Sequence, residues 1–512
     1  MTNTACLRAF LCSVAVSASA CLAAAAERPP NIIIIYADDL GYGDVGAYGA
    51  TALETPEMDR LAREGMRFTS AYSTSATCTP SRYSMLTGEY AWRGDGRGVA
   101  PADAPLLIPP GSTTLGSILQ EAGYYTAIVG KWHLGLGTGN LDWNGKIAPG
   151  PLEVGFDSSF IIPATVDRVP TVYIEGHYIY GKDEEDEPLR VSYRQRIDSS
   201  PSGQEARDTL KMDWSHGHNQ SIANGISRIG WQTGAESAHW RDEDIADVLS
   251  SRAVEVIENN KDRPFFLYFS LHDPHVPRVP HERFVGATDM GPRGDVIVQI
   301  DWCVGEINRT LDRLGLTENT IVILTSDNGP VLDDGYKDES AERIGDHKPA
   351  GPFRGWKYSR FEGGTRMPTI IRWPARVPAG TVSDSIISQV DFPATFAALT
   401  GRELQENEAP DSFNFLPVLV NPEATVREHV VQQGIRNLLG FRRGDWKYHH
   451  PSNANTTAWE TGIDLGSRPY PQLYNLAEDL GETNNLAEEH PELVEELHAE
   501  LEALRAAGRS RP

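Results

Sequence analysis

Cys78 is followed closely by Pro80 and Arg82, a grouping that could place a reactive side chain beside a permanent cation. Thr79 suits an N-cap and Pro80 suits the first helical position, so the stretch predicts a helix that Gly88 ends in the left-handed conformation. Free N–H groups and the dipole at a helix N-terminus favour negative charge, and Arg82 adds to this effect. We therefore expect an anion to bind here.

Two pairs of oxygen-bearing side chains each follow an apolar run typical of a buried strand. Asp38 and Asp39 come after the run at 31–36, and Asp327 and Asn328 come after the run at 320–325. A single Asp-Asp pair more often belongs to a turn or a helix cap than to a metal site. The second pair, in an equivalent position after another strand, makes the prediction of a metal site specific. Oxygen ligands suit Ca²⁺ or Mg²⁺, whereas zinc prefers nitrogen or sulfur.

Lysines and an arginine supply the positive charge that an anion site needs. Lys131 directly follows a predicted strand at 124–129, and Lys357 precedes a glycine-rich turn at 361–368. Together with Arg82, they suit the binding of a tetrahedral oxyanion and the neutralisation of charge as a leaving group departs.

Three histidines also follow predicted strands. His133 lies just beyond Lys131, and His272 and His275 follow the run at 264–270. Histidine titrates near neutral pH, so His133 and His272 are candidates for general base and general acid. The His-x-x-His spacing of 272–275 could suggest zinc, but the prolines at 274 and 277 break any helix there, which disfavours that reading.

The elements that must position these residues alternate between helices and apolar strands. Helices are predicted at 56–64, 114–122, 243–259 and 295–314, the last three each leading into a strand. The alternation predicts an α/β fold with a large mixed, mostly parallel sheet sandwiched by helices. Because functional crevices lie at the carboxyl ends of strands in open α/β sheets, the polar residues after four strands should meet at one edge.

The chain divides into three predicted parts. Residues 1–26 read as a signal peptide, 27–424 as the catalytic domain, and 425–512 as a smaller α+β subdomain. The subdomain should contain an antiparallel sheet, with a hairpin over 437–448, and a terminal helix at 491–506. Within the catalytic domain, residues 165–240 lack periodicity, which favours a lid or a substrate-facing insertion.

Composition limits the partners and the compartment. The chain has 512 residues, 40% apolar and 23% charged, and a net charge of −25 that argues against nucleic acid as a partner. No segment after the signal is long enough for a transmembrane helix. We expect an exported protein, periplasmic or secreted, with lipoprotein anchoring at Cys21 as a weaker alternative.

Cysteine usage is unusual for an exported protein. Only Cys78 and Cys303 lie beyond the signal region. Cys303 falls within an apolar helical stripe and is predicted to be core. A disulfide between the two stays open at this point, because it depends on a distance that the sequence does not give.

The motifs together resemble the type I, formylglycine-dependent sulfatases of the alkaline-phosphatase superfamily. The Cys-Thr-Pro-Ser-Arg stretch at 78–82 matches the C-x-P-S-R signature of that family. Other matching blocks occur in the family's order at 36–41, 130–135, 326–329 and 363–368. The resemblance extends from about residue 30 into the C-terminal region.

This resemblance implies a mechanism. A separate maturation enzyme, either a formylglycine-generating or an anaerobic sulfatase-maturating enzyme, would oxidise Cys78 to formylglycine. A hydroxyl of the hydrated aldehyde would attack sulfur and form a covalent sulfo-enzyme intermediate. His272 would protonate the leaving oxygen, and His133 would assist breakdown of the intermediate.

The resemblance also implies the binding roles at the site. Lys131 and Lys357 would hold the sulfate, and Arg82 would support the formylglycine. The ligands of Ca²⁺, with Mg²⁺ as an alternative, would be Asp38, Asp39, Asp327, Asn328 and residue 78.

The segments at 162–170 and 217–219 resemble those of bacterial carbohydrate sulfatases, which implies a sulfated glycan substrate of the galactose or N-acetylgalactosamine type. On this resemblance Arg168, His177 and His275 would contact the sugar. Two alternatives stay open: a phosphonate or phosphate ester hydrolase of the same superfamily, and a non-catalytic sulfated-glycan-binding protein. The intact metal and cation sets argue against the second.

Overall fold

The computed structural model describes residues 28–94 and 98–511; the predicted signal peptide, including Cys21, lies outside the described residues. The strands are β1 (Asn31–Ala37), β2 (Met66–Phe68), β3 (Ala71–Tyr72), β4 (Tyr125–Lys131), β5 (Ser158–Ile162), β6 (Ile174–Glu175), β7 (Tyr178–Ile179), β8 (Arg190–Ser192), β9 (Ile222–Ala223), β10 (Ile226–Ser227), β11 (Trp231–Thr233), β12 (Phe265–Ser270), β13 (Thr320–Ser326), β14 (Thr369–Arg372), β15 (Thr381–Ser383), β16 (Ile387–Ser388), β17 (His429–Gln433), β18 (Leu439–Arg443), β19 (Trp446–His449) and β20 (Gln472–Asn475).

The α-helices are α1 (Pro56–Glu64), α2 (Cys78–Thr87), α3 (Leu115–Glu121), α4 (Ile245–Asn260), α5 (Pro292–Leu314), α6 (Ser340–Arg343), α7 (Glu362–Thr365), α8 (Phe392–Thr400), α9 (Leu416–Val420) and α10 (Pro491–Ala507).

A ten-stranded mixed sheet forms the centre of the molecule, in the order β15-β2-β14-β13-β1-β12-β4-β5-β6-β7. Its five middle strands, β13 to β5, run parallel, and β14 is antiparallel to both of its neighbours. In the middle of the sheet, Ile34 of β1 pairs with Tyr268 of β12 and Ile323 of β13. The predicted mostly parallel sheet is confirmed.

Helices cover both faces of this sheet. Ile34 faces a core formed with helices α2, α3 and α8, to which Leu86 and Leu115 belong. Ile33 faces the opposite core, formed with helices α1, α4 and α5, to which Leu249 belongs. Because alternate residues of β1 enter different cores, the strand has to be apolar throughout, as its sequence is.

The C-terminal part is a separate antiparallel sheet of four strands, β17-β18-β19-β20, with α10 packed on it. Gly444 and Asp445 form the predicted hairpin turn between β18 and β19. Leu497 and Leu501 of α10 are fully buried against Phe441 of β18. The predicted α+β architecture is confirmed.

Helix α2 starts two residues earlier than expected. Cys78 is its first residue and Thr77 precedes it, so the prediction that Thr79 is the N-cap is wrong. The Thr79 hydroxyl instead donates to the His133 carbonyl at 3.2 Å and accepts from the Ala100 N–H at 3.1 Å. The helix ends as predicted at Gly88, which has φ 68°.

Both cysteines of the described residues are free and buried, so the open question of a Cys78–Cys303 disulfide is answered against it. Cys303, on the buried face of α5, lies in the core as predicted. Among residues 28–94 and 98–511, no helix is both long and apolar enough to cross a membrane.

Candidate active site

Four strand ends meet at Arg82, as the sequence predicts. The fully buried guanidinium donates to Asp327 Oδ2 at 2.8 and 3.0 Å, to Ser270 Oγ at 2.5 Å, and to the Lys131 carbonyl at 3.2 Å. Asp327 directly follows β13, Ser270 and Lys131 are the last residues of β12 and β4, and Asp38 after β1 lies 4.0 Å away. Arg82 therefore joins α2 to the carboxyl edge of the sheet.

The predicted metal ligands lie together beyond β1 and β13. Asp38, Asp39, Asp327 and Asn328 are completely buried, and the Asn328 amide donates to Asp39 Oδ1 at 2.6 Å. Asp38 Oδ1 and Asn328 Oδ1 have no hydrogen-bond partner, although buried polar atoms normally have one. Burial, with Asp327 as the next cause, raises the pKa of Asp38 well above its usual value. Two orphaned oxygens in an anionic cluster fit a hard divalent cation.

The two lysines border this cluster. Lys131 Nζ contacts Asp38 Oδ2, and Lys357 Nζ lies 2.9 Å from Asp39 Oδ2 and 2.8 Å from Asp334 Oδ2. Both side chains are buried. Such desolvated cations attract an anion more strongly than surface lysines do, because little water screens them.

Cys78 is buried at the start of α2, with Sγ 3.2 Å from His133 Nδ1. Burial raises the pKa of the thiol, so it stays neutral at physiological pH and is a poor thiolate nucleophile. Burial, with Lys131 and Arg168, lowers the pKa of His133 well below its usual value. His133 Nε2 lies 2.9 Å from both the Ala100 carbonyl, which can only accept, and Arg168 Nη1, which can only donate. Donation from Nε2 to the carbonyl leaves Nδ1 as an acceptor facing position 78, whereas acceptance from Arg168 makes Nδ1 the donor.

Three non-glycine residues around the cavity adopt a left-handed backbone. Asp39 has φ 69°, His133 has φ 54° and Tyr358 has φ 76°. This conformation costs on the order of 1 kcal/mol or more for each residue and persists only where surrounding contacts impose it. Its presence at three neighbouring positions marks the region as functional.

A cavity of about 170 Å³ opens above Cys78. Of the predicted site residues it is lined by Cys78, His133, Arg168, His275 and Lys357. Its other lining residues are Val99, Thr165, Asp167, His218, Ile229, Asp334 and Tyr358.

The two histidines after β12 differ in their placement. His275 lines the cavity, and one of its ring nitrogens lies within 4.8 Å of carboxylate oxygens of Asp38 and Asp39. Burial, with Lys357 and Lys131, lowers its pKa. His272 is not among the described residues that line the cavity, and its Nε2 lies 3.4 Å from Asp273 Oδ1. The geometry therefore favours His275, not His272, as the group facing a leaving oxygen.

Among the residues that the structure describes, His177 is not one of those that line this cavity. It lies in the turn between β6 and β7, where Nε2 is 2.8 Å from Glu153 Oε1 and its carbonyl accepts from the Ile147 N–H. This pairing explains its position at the edge of the sheet and does not support the expected contact with sugar.

The sequence analysis did not assign roles to Asp167 and His218, although they lie within the segments 162–170 and 217–219 that it singled out. His218 Nε2 lies 2.9 Å from Asp167 Oδ2, while the buried Asp167 Oδ1 has no partner. Burial would raise the pKa of Asp167, but His218 and Arg168 outweigh it and hold it well below its usual value. An ionised carboxylate with one free oxygen can accept a hydrogen bond from a ligand hydroxyl.

Asp334 was also missed. Its carboxylate accepts from Lys357 Nζ and from the Tyr358 hydroxyl, both at 2.8 Å. Burial would raise its pKa, but Lys357 and His275 hold it below the usual range. Asp334 thus fixes Lys357 on the side away from Asp39. The signal available was its position seven residues beyond Asp327, in the same loop.

The fold and this geometry define a hydrolase of tetrahedral anionic esters, because buried cations surround a modifiable side chain next to a carboxylate cluster. Comparison with known proteins makes the class specific. The sulfatase family matches residues 30–402, and the chain belongs to that family. The prediction of a sulfuric ester hydrolase is confirmed.

Two relatives and one solved structure show how near the resemblance is. An N-acetylgalactosamine-6-O-sulfatase of Bacteroides thetaiotaomicron is 50% identical, covering 94% of each chain. Human arylsulfatase A is 30% identical over 94% of this chain and 89% of its own. A sulfatase structure described with glycosaminoglycan metabolism by Bacteroides thetaiotaomicron superposes with a TM-score of 0.92, at 50% identity and over 94% of this chain and 100% of its own. The predicted resemblance to bacterial carbohydrate sulfatases is confirmed.

Proposed function

We propose that this protein removes the 6-O-sulfate group from N-acetylgalactosamine or a similar galactose-type sugar. The supporting observation is the 50% identity to an N-acetylgalactosamine-6-O-sulfatase over 94% of both chains. Identity at this level over the whole chain favours a shared substrate class over the phosphate and phosphonate ester alternative.

Position 78 acts as formylglycine in this proposal, after oxidation of Cys78 by a separate maturation enzyme. The hydrated aldehyde supplies a hydroxyl group that attacks sulfur. The unmodified Cys78 thiol is a poor nucleophile, because burial raises its pKa. His133 Nδ1, 3.2 Å from position 78, accepts a proton there. The maturation step also fits an exported enzyme with a signal peptide at 1–26, which we include in the proposal.

Ca²⁺ is the proposed metal, with Mg²⁺ as an alternative. Asp38, Asp39, Asp327 and Asn328 would hold it, together with residue 78, and the cation would supply charge stabilisation for the ester oxygens. The unpartnered Asp38 Oδ1 and Asn328 Oδ1 support this assignment. Addition of Ca²⁺ to metal-free protein should raise Tm more than addition of Mg²⁺.

Lys131 and Lys357 have a binding role and His275 has a proton-donating role in this proposal. Lys131 and Lys357 bind sulfate oxygens from two sides, and Arg82 holds Asp327 and the base of α2 in place. His275 donates a proton to the leaving sugar oxygen, a role that the sequence analysis gave to His272. A bound sulfate group would oppose the lowering of the His275 pKa that the two lysines cause.

Asp167, Arg168 and His218 are the proposed sugar contacts. They line the cavity on the side of the 165–240 insertion, and the free Asp167 Oδ1 can accept from a ring hydroxyl. A buried acceptor of this kind discriminates strongly against a sugar whose hydroxyl points elsewhere, because the acceptor is then left unpaired.

The test measures kcat/KM for sulfate release from N-acetylgalactosamine 6-sulfate, its 4-sulfate isomer and an aryl sulfate. The 6-sulfate should be the best sugar substrate, and a faster 4-sulfate would overturn the proposed position. Asp167→Asn should lower kcat/KM on the sugar roughly 10- to 100-fold and on the aryl sulfate much less. His177→Ala is the matched control and should stay within about twofold on both substrates; an equal loss in the two variants would remove Asp167 from the sugar site.

A further inference from the structure

Trp459 is the most exposed large hydrophobic side chain among the described residues, at 76%. It lies at the tip of a short turn in the C-terminal part of the chain. Thr457 and Asp464 pair across the base of this turn, and Gly462 N donates to the Ala458 carbonyl at 2.8 Å. The turn is therefore held in place while the indole faces solvent, an arrangement that does not contribute to the core and instead suits contact with a partner.

The indole is connected to the catalytic cavity through two histidines. The ring centroid of Trp459 is 6.2 Å from that of His216, and His216 is 6.2 Å from His218, which lines the cavity. The two distances limit the separation of the Trp459 and His218 rings to at most 12.4 Å, a span that an oligosaccharide bound in the cavity can cross.

The base of the turn also packs against the cavity wall. Ala458, Leu438 and Leu465 form a buried cluster against which Tyr358 packs, and Tyr358 is a lining residue. The position of Trp459 relative to the cavity is thus fixed by buried contacts from a second side.

Hydrogen-bonding groups accompany the indole. Ser215 Oγ donates to Asp333 Oδ1 at 2.6 Å, and it lies 3.0 Å from His216 Nδ1. The Asp333 side chain is half-exposed, and Glu460, the chain neighbour of Trp459, is exposed. An aromatic face beside hydroxyl and carboxylate groups suits a pyranose ring, which presents C–H groups on one face and hydroxyls at its edge. The exposed carboxylates favour an uncharged ring over a uronate, because like charges repel.

We propose that Trp459 is a stacking platform for the uncharged sugar unit linked to the one bound in the cavity, so that the mouth of the cavity is a second sugar subsite. This inference rests on the proposed function, because it requires a sugar sulfate in the cavity. The enzyme then prefers a sulfated disaccharide to the sulfated monosaccharide, and the C-terminal part of the chain contributes directly to substrate choice.

The experiment compares kcat/KM for N-acetylgalactosamine 6-sulfate and for the same sugar linked to a neutral galactose. The wild-type enzyme should prefer the disaccharide. Trp459→Ala should reduce the disaccharide-to-monosaccharide ratio about tenfold, Trp459→Phe should reduce it less, and Tyr470→Ala should leave it unchanged. Tyr470 is the control because it is a second exposed aromatic residue, at 52%, in the same segment.

An unchanged ratio in Trp459→Ala would overturn the subsite, as would an equal reduction in Tyr470→Ala. Failure of the proposed function gives a different result: the wild-type enzyme would hydrolyse an aryl sulfate but neither sugar. In that case no sugar sulfate occupies the cavity and the subsite falls together with the proposed function, whereas turnover of both sugars with an unchanged ratio in Trp459→Ala overturns the subsite alone. A uronate-linked disaccharide turned over faster than the galactose-linked one would contradict the preference for an uncharged ring.

Discussion

Two buried clusters of charge, one at the cavity and one where the C-terminal sheet meets the main sheet, differ in how completely their members are paired. At the second, which we call the junction cluster (Glu362, Arg366, Arg442, Lys447 and Glu482), the Glu362 carboxylate accepts from Lys447, Gln432, Arg366 and Tyr72 at 2.6–3.0 Å. At the cavity, Asp38 Oδ1 and Asn328 Oδ1 accept from nothing among the described residues. Glu482 Oε1 of the junction also lacks a hydrogen-bond partner, although it lies 3.4 Å from Lys447 Nζ. The contrast is therefore between Glu362, which is fully paired where the two sheets meet, and the cavity oxygens, which are available to ligands.

The same contrast appears in the backbone. Asp39 and His133, at the cavity, adopt left-handed conformations that cost free energy. The junction uses long side chains from ordinary strands, such as Lys447 of β19 and Arg442 of β18, although Glu482 in its loop has φ 49°. Substitutions at the cavity should therefore reduce activity more than stability, and those at the junction should do the reverse.

The largest effect should follow from Cys78→Ala. This variant removes the precursor of the proposed nucleophile, so kcat for sulfate release should fall by at least about 10³-fold while Tm changes little. Intact peptide mass spectrometry of the wild-type protein should show the mass loss of a thiol oxidised to an aldehyde. An unmodified Cys78 in fully active enzyme would contradict the formylglycine proposal.

The next largest effect should separate the two histidines after β12. His275→Ala should lower kcat/KM on a sugar sulfate roughly 10²- to 10⁴-fold, because a poor leaving group needs a proton. The loss should be smaller on an activated aryl sulfate, whose leaving group needs little protonation. His272→Ala is the matched control, and a larger loss in that variant would return the acid role to His272.

At the junction, Lys447→Met should leave the carboxylates of Glu362 and Glu482 without their shared cation. The free energy of unfolding, measured with urea, should fall by about 3–5 kcal/mol, while kcat per folded molecule is retained. Arg443→Met is the control, because Arg443 pairs with the exposed side chain of Glu496 and the half-exposed side chain of Glu500, and its loss should cost less than about 1 kcal/mol. Equal costs would show that burial of the junction adds nothing.

The sequence predicted the cavity better than the junction because strand ends are a local signal. Apolar runs followed by Asp38, Lys131 and Asp327 identify the carboxyl edge of a parallel sheet without any tertiary information. Glu362 and Glu482 lie 120 residues apart in the chain, and neither follows a pattern that indicates the other.

Within the cavity, what the sequence did not predict depends on side-chain direction. His272 and His275 are equivalent in type and lie three residues apart, so only the path of the chain decides which one faces Cys78. Asp167 and His218 come from the insertion without periodicity, 51 residues apart, and meet through tertiary contacts alone. Thr79 was misassigned as a cap because its hydroxyl binds two distant loops.

The smallest expected effect concerns Glu482, the member of the junction cluster whose negative charge is least well paired. Burial, together with Glu362, raises the pKa of Glu482 from 4.5 to about 7, while Lys447 acts in the opposite direction. His449 and Tyr474 also face this carboxylate, and burial lowers the pKa of His449 and raises that of Tyr474, so neither is charged near neutral pH. The folded protein therefore binds the Glu482 proton more tightly than the unfolded chain does, and stability from this group is lost as pH rises from 4.5 to about 7.

Glu482→Gln should remove that loss while its amide oxygen still accepts from the Glu362 N–H, as Oε2 does at 2.6 Å. The Tm of the variant minus that of the wild type should therefore be a few degrees larger at pH 8 than at pH 5. The Cys78→Ala variant provides the control, because its Tm difference from the wild type should not depend on pH in this window. If Glu482→Gln shows the same Tm difference at both pH values, the nearby Lys447 outweighs burial, and Glu482 is ionised throughout this window despite its unpartnered Oε1.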